Sequence, residues 1–366
     1  MERALGFSKD CFVVPGSLQS AIYDTRRQDY ALVSNRYAAD LHTFIGKSES
    51  YVRAHMDPAL LQFLMEREYV YFWPAGLLDR FADISMSYEA PFPLENAIIE
   101  GNDLSALEPL NLLLEAGCRY FLIILHDPVS PDELDRYLST AEFRTIPTLE
   151  LHLNKMPQAR AGQLKSLVHK FPFISSLCVY NGRREQFFIR NQIPVAVTKK
   201  AFPGLASFKS PDTFFVNLQL FVESRNHNPY FHKKIYIGPD GGIRSSPEDP
   251  ETHGNIHRLN DSGDIVRIVE GEHFQKYWNV SKDKIDVCRS CEFRYMCVDA
   301  RLPLPRSDGS WYFADECAYN PFLCKWQWES GYQALADCGV RSDPDGFQVD
   351  EEVLEAVRQE TWAVIS

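Results

Sequence analysis

The segment 286–326, DVCRSCEFRYMCVDARLPLPRSDGSWYFADECAYNPFLCKW, constrains the chain more than any other. It holds five of the nine cysteines, Cys288, Cys291, Cys297, Cys317 and Cys324, within 37 positions. Two intervening residues let one turn aim the thiols of Cys288 and Cys291 at a common centre, and Cys297 follows after five more. Cys317 and Cys324 lie beyond a proline-containing loop long enough to return a fourth sulfur to the same point. Core cysteines seldom cluster this way. No charged start followed by a long apolar run directs the chain to an oxidising compartment, where disulfides persist. The spacing therefore predicts a bound metal, and four thiolates suit either zinc or an iron–sulfur cluster.

The residues between the cysteines discriminate further. Glu292, Phe293, Arg294, Tyr295 and Met296 sit inside Cys-x2-Cys-x5-Cys, followed by Asp299, Arg301, and later CAYNPF and Trp326. This pattern resembles the SPASM domain, the C-terminal iron–sulfur module of peptide-modifying radical SAM enzymes. It is similar in particular to the SPASM-domain peptide maturases of grasp-with-spasm systems, which are encoded beside an ATP-grasp ligase and a short precursor peptide. The likeness extends upstream through FFVNLQLF, NPYFHKKIYIGPDGGIR, GNI and KDKIDVC, covering residues 213–328 well and the rest loosely. The resemblance implies a [4Fe-4S] cluster in preference to the alternative, zinc. SPASM domains typically carry a second cluster, with a Gly-x4-Cys upstream and a Cys-x3-Cys after the third cysteine. Here Gly241 is followed by Ser246 at the position of that cysteine, and Arg301 stands four residues after Cys297. One site is expected, held by Cys288, Cys291, Cys297 and Cys317, with Cys324 as a substitute candidate. Asp299 and Arg301, both matching the motif, are expected to pair behind the ligands and hold the cysteine loop.

The 366 residues are 45% hydrophobic, ample for two or three domains, and the net charge is −12. No basic stripe argues for nucleic acid, and an acidic chain is not drawn to anionic membranes. Nowhere do about 18 apolar residues run uninterrupted. A cytoplasmic protein is expected.

Residues 10–75 read as a small unit with strands at 12–14, 21–24 and 29–34, helices at 35–44, 50–55 and 58–67, and a returning strand at 69–73. That order looks like the winged-helix RiPP recognition element, which captures leader peptides by adding an extended strand to a sheet edge. From residue 95 apolar strands (97–100, 120–125, 146–153, 174–180, 194–198) alternate with helices (104–115, 131–140, 158–169), implying parallel βαβ units. Strands are expected at 215–222 and 233–237, a hairpin at 238–243, and a short helix at 271–278. The fold class is α/β: a partial (β/α) barrel resembling radical SAM proteins, with an N-terminal winged-helix-like unit and a C-terminal SPASM iron–sulfur module. The boundaries are 1–80 for the recognition-element-like unit, 90–225 for the partial barrel, 226–340 for the cluster-binding domain, and 341–366 for an acidic C-terminal helix docked by its apolar side.

A radical SAM cluster needs three cysteines spaced Cys-x3-Cys-x2-Cys. Cys11, Cys118, Cys178 and Cys338 are each isolated, so no SAM-cleaving cluster and no SAM are expected; Cys118 and Cys178 read as buried small residues. His227, His232, His253 and His257 precede the cysteines without a metal-binding pair spacing and read as ordinary polar histidines. No phosphate loop, nucleophile or catalytic residue is identified, which leaves enzyme status open. The resulting expectation is a ribosomal peptide (RiPP) maturation protein with one auxiliary-type [4Fe-4S] cluster. It would bind a precursor (leader) peptide and act with an ATP-grasp ligase. The alternatives are a cluster-dependent redox enzyme modifying the peptide itself and a zinc-stabilised peptide-binding scaffold.

Overall fold

The computed structural model describes residues 2–140, 146–157, 159–204 and 214–363. The expected helix start at 158 and the SPASM-like start at 213 fall on residues outside these. The chain forms two compact units, one of Met1–Glu89, Ser207–Pro229 and Asn279–Ser366, the other of Ala90–Ala206 and Tyr230–Trp278.

In the first unit, β1 (Arg3–Phe7) pairs antiparallel with β5 (Val70–Pro74), and β2 (Cys11–Pro15), β3 (Gln19–Asp24) and β4 (Asp29–Ser34) form an antiparallel meander. Between β4 and β5 run α1 (Asn35–Phe44), α2 (Glu49–His55) and α3 (Pro58–Glu66). Each helix starts on a side chain that accepts an otherwise unpaired backbone N–H: Ser34 from Tyr37, Ser48 from Tyr51, and Asp57 from Ala59 and Leu60. The three-stranded sheet is apolar on both faces. Cys11 and Ile22 join the helices in a core with Leu41, Val52, Leu60, Leu64 and Phe72, while Val14, Ala21 and Tyr23 pack against Phe221, Phe293, Met296, Tyr319 and Trp326. The sheet is thus a wall shared by the N-terminal helices and the cysteine segment.

Later parts of this unit depart from the expected elements. Residues 215–222, expected as a strand, become the helix Leu218–Asn226, because Asn217 accepts from Leu220 N at 2.8 Å and caps it. Residues at the start of the expected terminal helix instead form a hairpin of Val340–Asp343 and Gly346–Val349, turned by Asp343 accepting from the Asp345 and Gly346 N–H groups. The helix begins at Glu351 and docks through Leu354, which is buried with Phe322, Leu323, Cys338 and Val340.

The second unit is a mixed α/β structure around a large, mostly parallel sheet. Its strands are β6 (Asn96–Gly101), β7 (Tyr120–Leu125), β8 (Thr148–Leu153), β9 (Ile174–Val179), β10 (Gln186–Arg190), β11 (Ile193–Val197), β12 (Lys234–Ile237), β13 (Gly242–Arg244) and β14 (Gly254–Asn255). They lie in the order β10-β11-β9-β8-β7-β6-β12-β13-β14, with β11 through β12 in that order parallel. The crossovers after β6, β7 and β8 carry α4 (Leu110–Glu115), α5 (Pro131–Leu138) and α6 (Ala161–Lys170). A Ser130–Glu133 capping box and Pro131 fix the start of α5. The expected helix 104–115 is split into a single 3-10 turn and α4, and that at 271–278 is a 3-10 turn at Phe274–Tyr277. β10 and a helix at Ser262–Val269 were not anticipated.

His232 is 4% exposed, packs edge-on against Trp278, and has its pKa lowered to about 4 by burial and by the charge of Lys233. The unfolded chain binds the proton first as pH falls, so the contribution of His232 is complete above about pH 6.5 and is lost toward pH 4. Chemical denaturation should show a loss on the order of 1–3 kcal/mol across that window, a slope that His232→Gln reduces.

Candidate metal centre

The short turn that carries Cys288 and Cys291 is held at both ends. Asp286 N donates to Trp311 O at 3.0 Å, and the Asp286 carboxylate pairs at 2.5 Å with Arg306, both groups being buried. Val287 takes φ +63°, the left-handed conformation that a β-branched residue adopts only under constraint. Beyond the turn, Tyr23 Oη donates to Glu292 O at 2.7 Å, Arg294 Nη1 to Pro15 O at 2.6 Å, and Ser17 N to Ser290 O at 2.8 Å. The Glu292 carboxylate, itself buried, accepts from Gln19 Nε2 at 2.6 Å and from the Tyr319 hydroxyl. Burial raises its pKa, partly offset by those two donors.

Cys288, Cys291, Cys297 and Cys317 all line one cavity, together with Phe214, Phe293, Pro321 and Trp326 and with Lys282, Asp299 and Arg301. Cys324 does not line it. Its buried thiol points to Pro321 O at 3.6 Å, among Tyr319 and Trp326. None of the nine cysteines is in a disulfide. Among the described residues, no group of three or more His, Cys, Asp or Glu side chains is placed to hold a metal ion. The four sulfurs therefore stand around a cavity and do not converge on one point.

The charges beside the cavity form a closed set. Asp299 is 1% exposed and receives Arg301 through Nε at 3.1 Å and Nη2 at 2.7 Å, and Lys282 Nζ at 3.1 Å. Arg301 also lies 4.2 Å over the Phe313 ring and donates to Asp315 O. Burial disfavours the Lys282 charge, but Asp299 and the nearby sulfurs of Cys297 and Cys288 outweigh it and raise its pKa above the ordinary lysine value. Two cations thus face one carboxylate and the thiols. Burial pushes the Cys288 thiol up to about 12 against the pull of Lys282 and Arg301; burial, then Glu292 and Cys288, raise Cys291 further. These thiols are neutral at neutral pH, and a metal that bound them would have to displace their protons.

Asp299 and Arg301, expected to pair, do so. The sequence reading did not single out Lys282, Gln19, Tyr23 or Tyr319. Gln19 and Tyr23 lie about 270 residues before the cysteines in the chain, whereas Tyr319 stands between Cys317 and Cys324 in CAYNPF and Lys282 is the first of two lysines in KDKIDVC. Of the histidines, His227 bonds Asn279 at 2.9 Å, and His232, His253 and His257 belong to the other unit. That unit has its own polar network where its parallel strands end, a usual position for ligands in open α/β sheets. Glu100 pairs with His126 at 2.6 Å and accepts from Tyr236 at 2.6 Å, while His152 bridges Glu150 at 2.8 Å and Tyr180 at 3.0 Å.

No protein-family model matches the chain, and no curated protein matches it. Among solved structures, the chain is similar to Streptococcus suis SuiB, with 12% identity over 80% of this chain and 94% of that one and a TM-score of 0.28. SuiB bound to S-adenosylmethionine gives the same identity and coverage with a TM-score of 0.27. Alignments at these scores decide neither fold nor activity.

Asp299→Ala removes the carboxylate paired with the buried Lys282 and with Arg301, and should destabilise the first unit by about 3–5 kcal/mol in urea denaturation. Adding Lys282→Met should recover part of the loss.

Proposed function

We propose that the chain is a peptide-maturation protein whose first unit holds one [4Fe-4S] cluster on Cys288, Cys291, Cys297 and Cys317. It would bind a precursor peptide and act beside an ATP-grasp ligase in the cytoplasm, without cleaving SAM. The observation that carries this reading is the single cavity walled by those four thiols and backed by Lys282, Asp299 and Arg301. The sulfurs line a space of about 30 Å³ without meeting at one point, which supports a multi-atom cluster over zinc, since zinc asks four sulfurs to meet at one ion. Bound there, a cluster would supply a structural staple and a one-electron centre. Lys282 and Arg301 would neutralise thiolate charge, Asp299 would orient both cations, and Phe214, Phe293 and Trp326 would exclude water. The departure from the Cys-x3-Cys-x2-Cys triad supports recognition and scaffolding over SAM chemistry.

The N-terminal portion would serve as the leader-binding winged helix of the family it resembles, with the leader added at β4. Gly16 N donates to Gln19 O at 2.8 Å, and Pro15 opposite Ser20 has no N–H to offer. The alternation of antiparallel bonds then turns Gln19, Ala21 and Tyr23 toward β2 and Ser20, Ile22 and Asp24 toward β4. On β4, Val33, Ala31 and Asp29 answer them, so Tyr30 and Leu32 direct their backbone groups outward. Leu32 is 43% exposed and, with Val33, Gln19, Arg358 and Trp362, lines a cavity of about 570 Å³.

Leu32→Pro removes an outward N–H without touching the β3 ladder. Fluorescence anisotropy with the leader of a peptide encoded beside this chain should give affinity on the order of micromolar, weakened about tenfold or more by Leu32→Pro. Unchanged affinity in that variant would rule out leader pairing at β4.

A further inference from the structure

Strand β10 ends the nine-stranded sheet and, among the described residues, pairs only with β11. Arg190 and Ile193 flank a two-residue turn in which Asn191 and Gln192 both have positive φ, 51° and 67°. The pair closing such a hairpin exchanges both hydrogen bonds, so Phe188 and Gln186 also face β11. Phe187 and Ile189 then present their N–H and C=O groups outward. Opposite Ile189 stands Pro194, which has no N–H to donate, as a non-bonded pair allows.

The side chains of these two residues are as open as their backbone. Phe187 is 68% exposed and Ile189 64%, next to each other on one face of the strand, while Phe188 on the other face lies 5.1 Å under Lys165 Nζ. Natural edges are guarded by proline, charged side chains or a bulge. Gln186–Arg190 has no proline and no bulge, keeps an unbroken register with β11, and carries its one charge, Arg190, at its end, leaving Phe187 and Ile189 unguarded. The surrounding charge is opposite to that of the whole molecule. Residues 181–200 contain Arg183, Arg184, Arg190, Lys199 and Lys200 against the single acid Glu185, a net +4 in a chain of −12. Glu185 is already engaged by Thr198 Oγ1 at 3.1 Å and Lys199 N at 2.7 Å.

We propose that β10 is a docking edge for an extended, acidic polypeptide segment of a partner protein, with apolar residues at alternate positions. Main-chain pairing to Phe187 and Ile189 would register the segment, its aromatic or β-branched side chains would cover these two residues, and its carboxylates would meet Arg183, Arg184 and Arg190. This site lies in the second unit and is independent of the metal centre and of leader binding at β4.

The test is fluorescence anisotropy on the full chain with a fluorescein-labelled ten-residue peptide alternating valine or tyrosine with glutamate. Binding should weaken with added salt and by about tenfold or more in Phe187→Ser/Ile189→Ser and in Arg184→Glu/Arg190→Glu. Ile189→Pro, which removes only an outward N–H, should also weaken it, with circular dichroism unchanged. The proposal is overturned if these variants bind like the parent, if a lysine-for-glutamate peptide binds equally, or if oligo(dT) of similar length binds more tightly. It is also overturned if the chain is a dimer in solution that Ile189→Pro dissociates, since the edge would then pair with a second copy.

Discussion

The buried hydrogen bond from Tyr23 to the carbonyl of Glu292, 269 residues away in the chain, is the contact on which the first unit turns. Tyr23 belongs to the middle strand of a sheet that serves two cores: one side closes the core of the N-terminal helices, the other closes the core of the cysteine segment. A small loop-rich segment of two-residue strands cannot bury enough apolar surface to stand alone. Here it borrows a preformed sheet: Tyr23 donates to the buried Glu292 carbonyl and Gln19 to the Glu292 carboxylate, while Arg294 of the segment donates in return to the Pro15 carbonyl. The cost of leaving any of these groups unpaired, about 1–3 kcal/mol each, ties the geometry of Cys288–Cys291 to residues near the N-terminus.

The same logic explains buried charge where an apolar core would serve stability as well. A lysine and a carboxylate that are both 1% exposed carry a large desolvation penalty, which pairing offsets only when geometry is good. The bidentate Arg301 on Asp299 supplies that geometry, and the excess cation faces the sulfurs. These cations oppose, without overcoming, the rise that burial imposes on the Cys288 thiol.

The local elements were largely legible. Every N-terminal strand and helix from Cys11 to Pro74 was anticipated, because Ser34 and Asp57 are strong caps and the apolar periods are clear; β1 was missed. The alternating apolar strands 120–125 and 174–179 announced a parallel sheet. The failures have physical causes. FVNLQLFV alternates like a strand, but Asn217 caps a helix whose Phe221 and Val222 face the core. Residues 186–190 were assigned no element, because an exposed edge strand lacks the in-out alternation that a buried face imposes. The four thiols line one cavity, but neither Lys282 beside them nor the Tyr23–Glu292 contact was visible in the sequence, since each is made by folding and not by spacing.

The central claim is that the four-thiol cavity holds a cluster, and the direct measurement is the iron, acid-labile sulfide and zinc content of the full chain purified without oxygen, alongside Cys317→Ala and Cys324→Ala. The account predicts about four iron and four sulfide per chain, reduced in Cys317→Ala and retained in Cys324→Ala. One zinc per chain with no sulfide, or iron lost on replacing Cys324 and kept on replacing Cys317, would contradict it.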